Sequence, residues 1–274
     1  MIELINKRKL NEKRFLKDNG NIEIQLYRNN VHYLRNGKYI EISNELKECK
    51  DTLENIENDY RIVVNKKTGG IKYSKESNYI EFIPKNYKDV ECILEENTKE
   101  VSKVLYKNII DNIDLEYVLS FEGVKENVII KKYSKIDKIQ FDVKSNLILK
   151  NEDKVLKAKK GKEVIFNFNV PYMKDNNGEE SNEVIYSIKN KENEQLLTIL
   201  FSNKWLKSKD RKYPIIIDPT YENNTNVEDT YIYPGDTNDT RYNKSYINVG
   251  VEKINNQDIV NRGLIKFSLP ELGP

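Results

Sequence analysis

The chain has 274 residues, and its 46 basic and 44 acidic side chains nearly cancel to a net charge of +2. Hydrophobic residues make up 38 % and charged residues 33 %, which is typical of a globular protein and excludes a disordered one. With no concentrated basic stripe and no apolar run long enough to cross a bilayer, neither nucleic-acid binding nor membrane insertion is expected.

The N-terminus from Met1 to Phe15 is polar and basic and has no apolar segment of the kind found in a standard signal peptide. If the protein is exported, we therefore expect another route, or a chain that is part of a longer one.

Most of the sequence predicts β-strands, because apolar and polar residues alternate along short stretches. The alternating sets are Ile22/Ile24/Leu26, Ile113/Leu115/Tyr117, Ile139/Phe141/Val143 and Val164/Phe166/Phe168/Val170. Turn signals separate the strands. Asn36-Gly37, between Val31–Leu34 and Tyr39–Ile42, predicts a tight hairpin. Helical patterns are few: Glu95 to Leu105, and one turn at Asn203 to Lys207. The expected fold class is all-β and sandwich-like.

A domain boundary is predicted near residue 219. The apolar run from Ile215 to Ile217 reads as a strand, and Asp218-Pro219 ends it because proline cannot donate to a strand ladder. The Asn-rich stretch from Tyr221 to Asn226 resembles a linker. We therefore expect a first domain over residues 1–219 and a second over 220–274.

Three stretches carry short motifs in a fixed order. The motifs are Lys7-Arg8, Val31-His32-Tyr33, Gly37-Lys38-Tyr39 and Ile42-Ser43-Asn44 in the first stretch; Asn112 to Tyr117 with Gly123 to Glu126 in the second; and Trp205-Leu206, Tyr213-Pro214 and Ile217 to Thr220 in the third. In this order and spacing they resemble the N-terminal region of Gram-positive wall-associated and Rhs-type proteins. Tyr39 stands where that pattern has tryptophan, and Ser43 where it has aspartate.

The tail resembles the start of a DNRLRE domain, a carbohydrate-binding-module-like β-sandwich of jelly-roll type. The matching residues are Asp229 to Ile232, Asn248 to Gly250, and Arg262 with Leu264 to Phe267; Ser268 replaces the usual aspartate. A sandwich of this kind needs roughly 100 residues. We therefore expect an incomplete second sandwich, from a fragment or a truncated gene.

The two resemblances imply a secreted, cell-surface or cell-wall location and a non-enzymatic binding or scaffold role, with cell-surface polysaccharide or other domains of a longer chain as partners. The alternative is the N-terminal encapsulating or delivery region of a polymorphic, Rhs-type toxin. A hydrolase is a third hypothesis, supported only by the abundance of carboxylates such as Glu179-Glu180.

The residues with catalytic potential favour structural roles. His32 is the single histidine, and we expect it to pack in the hairpin and bond to a backbone group. Cys49 and Cys92 lie too far apart for a zinc motif, and buried free thiols are favoured over a disulfide. Trp205, the single tryptophan, is expected to be a structural anchor. No enzymatic activity is predicted.

The tail holds the candidate ligand-binding residues. Tyr231, Tyr233, Tyr242 and Tyr246 are candidates to stack on sugars, with ordinary strand tyrosines as the alternative. The loop from Tyr233 to Thr240 is rich in oxygen ligands, and its Asp236 and Asp239 are candidates for calcium, although such loops are usually solvated turns. No other cofactor is expected.

Overall fold

The computed structural model describes residues 1–191, 194–218, 221–222, 227–232, 246–254 and 257–267. Strands dominate these residues, and the strand pairings among them are antiparallel. The described helical segments are a 3-10 turn at Ile5–Lys7 and α1 at Asn203–Leu206. The predicted all-β, sandwich-like fold class is confirmed. No helix in this part of the chain is both long and apolar enough to cross a membrane.

Contacts between residues group the chain into two compact units. One is Ser43–Glu222, and the other combines Met1–Ile42 with Asn223–Pro274. This grouping differs from the predicted division on its N-terminal side, because a strand of the first 42 residues pairs with a strand of the tail. The boundary near residue 219 itself stays a prediction.

The smaller unit contains one six-stranded sheet, in the order β1-β2-β3-β26-β27-β25. Its strands are β1 (Ile2–Glu3), β2 (Glu12–Leu16), β3 (Ile22–Tyr27), β25 (Val227–Ile232), β26 (Tyr246–Ile254) and β27 (Gln257–Phe267). Ile2 lies opposite Leu16, and Leu16 opposite Ile22, so the three side chains share one face. The alternation of Ile22, Ile24 and Leu26 predicts a buried strand face. Ile22 is nevertheless 56 % exposed, because no described element covers it.

A separate hairpin follows in the same unit, formed by β4 (His32–Arg35) and β5 (Lys38–Glu41). Asn36 and Gly37 both have positive φ, 51° and 75°, as a two-residue turn of this kind requires. The hairpin predicted from Asn36-Gly37 is confirmed.

The larger unit is built on two sheets. The eight-stranded sheet, called here sheet P, has the order β21-β22-β15-β10-β9-β8-β7-β6. Its strands are β6 (Ser43–Glu48), β7 (Thr52–Glu57), β8 (Arg61–Asn65), β9 (Ile71–Lys75), β10 (Asn78–Pro84), β15 (Lys138–Ser145), β21 (Val184–Lys191) and β22 (Glu194–Phe201).

The second, called sheet Q, has the order β11-β12-β13-β14-β23-β19-β20, with β24 also paired to β14. Its strands are β11 (Cys92–Asn97), β12 (Ser102–Ile110), β13 (Ile113–Ser120), β14 (Gly123–Ile130), β19 (Tyr172–Lys174), β20 (Glu180–Ser181), β23 (Ile215–Asp218) and β24 (Tyr221–Glu222). Strand β13 buries Ile113, Leu115 and Tyr117 on one face, as the alternation predicts.

Sheets P and Q share one hydrophobic core. Aromatic rings fill its centre in edge-on contacts: Phe82 lies 5.2 Å from Phe168, and Tyr73 lies 5.6 Å from Phe168, between ring centroids. Such edge-to-face pairs add to the free energy of burying the rings. The two sheets therefore form the layers of a sandwich, and Phe168, which belongs to neither sheet, contributes to their shared core.

A three-stranded sheet lies beside them, formed by β16 (Ile148–Glu152), β17 (Val155–Lys160) and β18 (Glu163–Phe168). Phe166 and Phe168 are buried, whereas Val164 and Val170, which share their parity, are 39 % and 38 % exposed. The alternation therefore predicts the strand correctly, but it also predicts burial of Val164 and Val170, which are exposed.

Side-chain amides complete the sandwich where backbone pairing ends. Asn97 accepts a hydrogen bond from the Leu46 N–H at 2.7 Å and donates to the Leu46 carbonyl at 3.1 Å, which joins the edge of sheet Q to the edge of sheet P. Gln195, on the inner strand β22 of sheet P, pairs in the same way with the Leu149 N–H and the Leu147 carbonyl, both at 2.9 Å, and so joins sheet P to the segment that begins the three-stranded sheet. An amide side chain can replace a peptide group because it carries the same donor and acceptor.

The predicted helix over Glu95 to Leu105 is wrong. The segment forms the end of β11, a turn and the start of β12. Leu94 and Glu95 are exposed on the edge strand, and Val104 and Leu105 are buried. The helical turn at Asn203 to Lys207 is confirmed as α1, and its first turn is capped by the Ser202 hydroxyl, which accepts from the Trp205 N–H at 3.3 Å.

Candidate functional site

The most unusual chemical group in the described core is the carboxyl group of Glu126. It lies on β14 of sheet Q and is only 7 % exposed. The Tyr73 hydroxyl, from β9 of sheet P, donates a 2.6 Å hydrogen bond to Glu126 Oε1. Burial raises the pKa of Glu126 to about 7, although the Tyr73 hydrogen bond acts in the opposite direction. The sandwich therefore holds a carboxyl group that titrates near neutral pH.

Two further tyrosines surround this pair. Tyr117 lies opposite Glu126 in the strand register, and its hydroxyl donates to the Gly69 carbonyl at 2.5 Å. Tyr106 donates to the Asn65 carbonyl at 2.7 Å. Burial raises the pKa values of all three tyrosines. The hydroxyl groups therefore stay protonated and act as donors in three separate hydrogen bonds within the core.

His32 is a buried polar side chain of the smaller unit, as Glu126 is of the larger one. Its side chain is fully buried, and Nδ1 lies 2.7 Å from the Lys9 carbonyl. A carbonyl only accepts, so Nδ1 carries the proton. Nε2 is buried without a hydrogen-bond partner among the described residues, and burial lowers the pKa of His32. The predicted packed histidine, bonded to a backbone group, is confirmed.

An ionic cluster lies near His32. The Arg8 guanidinium donates two hydrogen bonds to the Glu3 carboxylate, at 2.7 and 2.8 Å. Arg8 also lies 3.6 Å from the Glu41 carboxylate, and the Lys13 ammonium contacts the same carboxylate at 2.5 Å. The Arg8 hydrogen bonds hold the pKa of Glu3 below its ordinary value. These residues of the first motif stretch therefore support the packing of the unit.

The described surface has a polar cleft of about 610 Å³ on sheet P. Its lining includes Arg61, Lys72, Ser74, Asn78 and Tyr79. The Lys72 ammonium lies 4.5 Å from the centre of the Tyr79 ring. The basic and acidic groups of the rim are largely paired, as in the contact of Arg61 with Glu54.

A buried aspartate holds the loop before the last core strand. Asp175 accepts hydrogen bonds from the N–H groups of Asn177, Glu179 and Lys212 at 2.9, 3.0 and 3.2 Å, and from Arg211 at 3.3 Å. Burial acts to raise the pKa of Asp175, but these donors together lower it. Arg211 also lies over the half-buried Trp205 ring, 4.6 Å from its centre. Trp205 is therefore packed against the core, as an anchor should be.

The ligand-binding residues predicted in the tail stay predictions. Tyr231 lies in β25 and Tyr246 in β26, but their side chains are outside the described part of the structure. Tyr233, Tyr242, Asp236 and Asp239 lie outside the described residues altogether. Within the described residues, no group of three or more His, Cys, Asp or Glu side chains could hold a metal ion. Cys49 and Cys92 are free thiols, half-exposed rather than buried.

The fold defines an all-β protein of the antiparallel sandwich class. Residues 5–220 match the family described as "Domain of unknown function (DUF7948)", and the chain belongs to this family.

Curated relatives carry more specific names. The chain is 25 % identical over 246 residues to the tRNA3(Ser)-specific nuclease WapA of Bacillus spizizenii, a match that covers 80 % of this chain and 10 % of that protein. It is 29 % identical over 129 residues to the tRNA nuclease WapA of Bacillus subtilis strain 168, covering 43 % of this chain and 6 % of the relative. The chain thus spans at most about a tenth of these relatives. No solved structure matches.

These comparisons correct one prediction and limit another. The prediction of no enzymatic activity is contradicted, because the matched relatives are named tRNA nucleases. No catalytic motif is apparent within the 274 residues, whereas the relatives that carry the nuclease name are at least about ten times as long as the part that matches. The family match ends at residue 220, so it does not show the DNRLRE resemblance of the tail.

The sequence motifs include residues of this buried site, although the motifs alone do not predict their contacts. Glu126 and Tyr117 belong to the second motif stretch, and the alternation from Gly123 onward places Glu126 on the same face as the buried Val124 and Val128. That parity was the signal for a buried carboxyl group. Nothing in the local sequence indicated its partner, because Tyr73 is 53 residues away.

Proposed function

We propose that this chain is the encapsulating or delivery region of a wall-associated polymorphic toxin that acts on tRNA. The observation that carries this proposal is the 246-residue match to a relative named a tRNA nuclease, of which the chain represents 10 %. The motifs similar to Gram-positive wall-associated and Rhs-type proteins support the same conclusion. A secreted or surface location, and a tail that begins a DNRLRE domain, are parts of this proposal.

The geometry supports a task that needs a stable exported body. In the larger unit the Asn97 amide joins the edges of the two sheets. Motif residues serve packing: Glu126 lies between the sheets, and Asn44 donates to the Lys99 and Glu100 carbonyls. Such a body suits a region that must hold its shape outside the cell.

The test is a competition between producing and recipient bacteria. Two producer strains carry the full gene, either intact or lacking residues 43–222 in frame. We expect the intact protein in the wall fraction and cleaved tRNA in recipients, and we expect the deletion to abolish both. As a control, the nuclease expressed directly inside recipients remains toxic with or without the deletion.

Two outcomes would overturn the proposal. One is unchanged wall recovery and recipient killing by the deletion strain. The other is absence of the intact full-length protein from the wall fraction of the producer, which would leave the region without a delivery role.

A further inference from the structure

Six lysines gather on the three-stranded sheet β16–β18 and its two turns. They are Lys150, Lys154, Lys157, Lys159, Lys160 and Lys162. The same segment, residues 148–163, holds three acidic residues, Glu152, Asp153 and Glu163. Six positive against three negative charges give this segment +3, whereas the whole chain carries +2. The sequence as a whole predicts no concentrated basic stripe, but two turns and an antiparallel register bring these charges onto one small sheet.

The register places like charges side by side. Lys150 lies opposite Lys157 in the cross-strand pairing of β16 and β17. Like charges directly opposite on a sheet destabilise it. Lys157 and Lys159 share a single carboxylate, that of Glu152, at 3.2 and 2.9 Å. Repulsion between these lysines destabilises the sheet in the isolated protein, and a bound anion would reduce that repulsion.

Three of the remaining lysines are available to a ligand. Lys150, Lys154 and Lys162 are exposed, and within the described residues they form no ion pair. Lys150 shares the outward face with Lys157 and Lys159, and Lys154 and Lys162 lie in the turns at the two ends of β17. Lys160 instead has the parity of the buried Leu156 and Ala158 and lies opposite Glu163. The support is rigid, because the opposite face of the sheet is buried. Its buried residues are Leu149, Leu156, Ala158, Phe166 and Phe168. Side-chain charges on a fixed support lose less entropy on binding than charges on a mobile segment.

We infer that this face, called the lysine face, binds a polyanionic phosphodiester polymer of the cell wall. The inference rests on the proposed function, since a wall-associated protein meets such a polymer. Charge complementarity argues for a polyanion. The outward residues of the three strands include no aromatic ring, whereas sequence-tolerant binding of single-stranded nucleic acid relies on base stacking. Ile148 and Val164 are exposed beside the lysines, but a membrane-surface element needs a broader apolar face.

The experiment uses the 274-residue chain and fluorescently labelled poly(glycerol phosphate), followed by anisotropy at several salt concentrations. The test variant combines Lys150→Glu, Lys154→Glu and Lys162→Glu, which changes the charge of the segment from +3 to −3. The control variant combines Lys99→Glu, Lys132→Glu and Lys209→Glu, three exposed lysines elsewhere in the larger unit, so both variants have the same net charge. Thermal unfolding of each variant checks the fold.

We expect the test variant to bind at least about tenfold more weakly and the control to change less than about twofold. The slope of log K against log salt concentration should fall by about 2 to 3 in the test variant only. Equal losses in both variants would overturn the inference, since attraction would then follow net charge alone. Equal or tighter binding of tRNA or of phosphatidylglycerol vesicles to the same face would overturn the assignment to a wall polymer.

Failure of this inference can be distinguished from failure of the proposed function. If the full protein reaches the wall but the lysine-face variant is retained there normally and still binds the polymer, the inference fails and the delivery role stands. If the full protein never reaches the wall, the delivery role fails whatever the polymer assay shows.

Discussion

The hydroxyl group of Tyr73 and the carboxyl group of Glu126 meet across the two sheets of the larger unit, with the oxygens 2.6 Å apart. Each residue is on the inner face of its strand, so this polar contact lies among apolar and aromatic side chains. Buried polar groups of this kind strongly affect stability, because either partner without the other is left unsatisfied.

The first prediction concerns pH. The pKa of Glu126 is about 7 in the folded protein and near 4.5 in the unfolded chain. Between these values the unfolded chain loses its proton and the folded protein keeps it. The contribution of Glu126 is therefore fully present below pH 4.5 and is lost as pH rises toward 7, by about 3 kcal/mol in total.

Urea unfolding of the wild type and of Glu126→Gln at pH 4.5, 6 and 8 measures this effect. Glutamine keeps an acceptor for Tyr73 and does not titrate, so the variant should gain stability relative to the wild type as pH rises. Two parallel stability profiles would show that Glu126 does not titrate in this range.

A second prediction isolates the hydroxyl group. Tyr73→Phe leaves the Glu126 carboxyl group buried without its described donor, and we expect a loss of about 1–3 kcal/mol. The loss should be larger at pH 8 than at pH 5, because the ionised carboxylate depends on the donor more strongly. Tyr117→Phe, which loses a bond to a neutral carbonyl, is the matched control and should show little pH dependence. A pH-independent loss in both variants would contradict this account.

The third prediction tests the amide that joins the sheet edges. Asn97→Ala removes both hydrogen bonds to Leu46, and we expect about 1–3 kcal/mol of destabilisation in chemical unfolding. Asn97→Asp keeps the acceptor and loses the donor, so it should lie between the wild type and the alanine variant. Asn19→Ala, which removes one exposed bond to the Asn21 N–H, serves as the control. An equal effect of the two alanine variants would argue against a special role for Asn97.

A fourth prediction uses Trp205 as a probe. Asp175 holds Arg211, and Arg211 covers the Trp205 ring. Asp175→Ala should therefore shift the tryptophan emission to longer wavelength and increase its quenching by iodide, and protease should cut faster between residues 207 and 213. Because the chain has one tryptophan, the signal has a single source. Unchanged emission together with unchanged proteolysis would show that Asp175 does not order this loop.

The sequence was a good guide wherever one strand face is buried, because alternation reports burial directly. Ile139, Phe141 and Val143 were placed correctly for this reason. It was a poor guide where tertiary contacts decide the outcome. Glu95 to Leu105 has a helical pattern but forms a hairpin, since pairing across the sheet outweighs a weak local preference. Ile22 alternates like a core residue, but the sheet face that holds it is uncovered by described elements.

The site was harder to predict than the fold. The role of His32 followed from its being alone in the sequence, whereas the Tyr73–Glu126 contact and the lysine face depend on strand register and on contacts between distant segments. Local sequence patterns identify the residues of such groups, but they do not predict which distant residues come into contact.

The side chain of Asn97 also has a consequence for aggregation. Strand β6 is an edge strand of sheet P. The unpaired N–H and carbonyl groups of an edge strand can pair with a strand of another molecule. Asn97 occupies both groups of Leu46, and the Lys99 carbonyl accepts from the Asn44 N–H. The contact that joins the two sheet edges therefore also blocks this edge, which would protect the protein at high local concentration from edge-to-edge association.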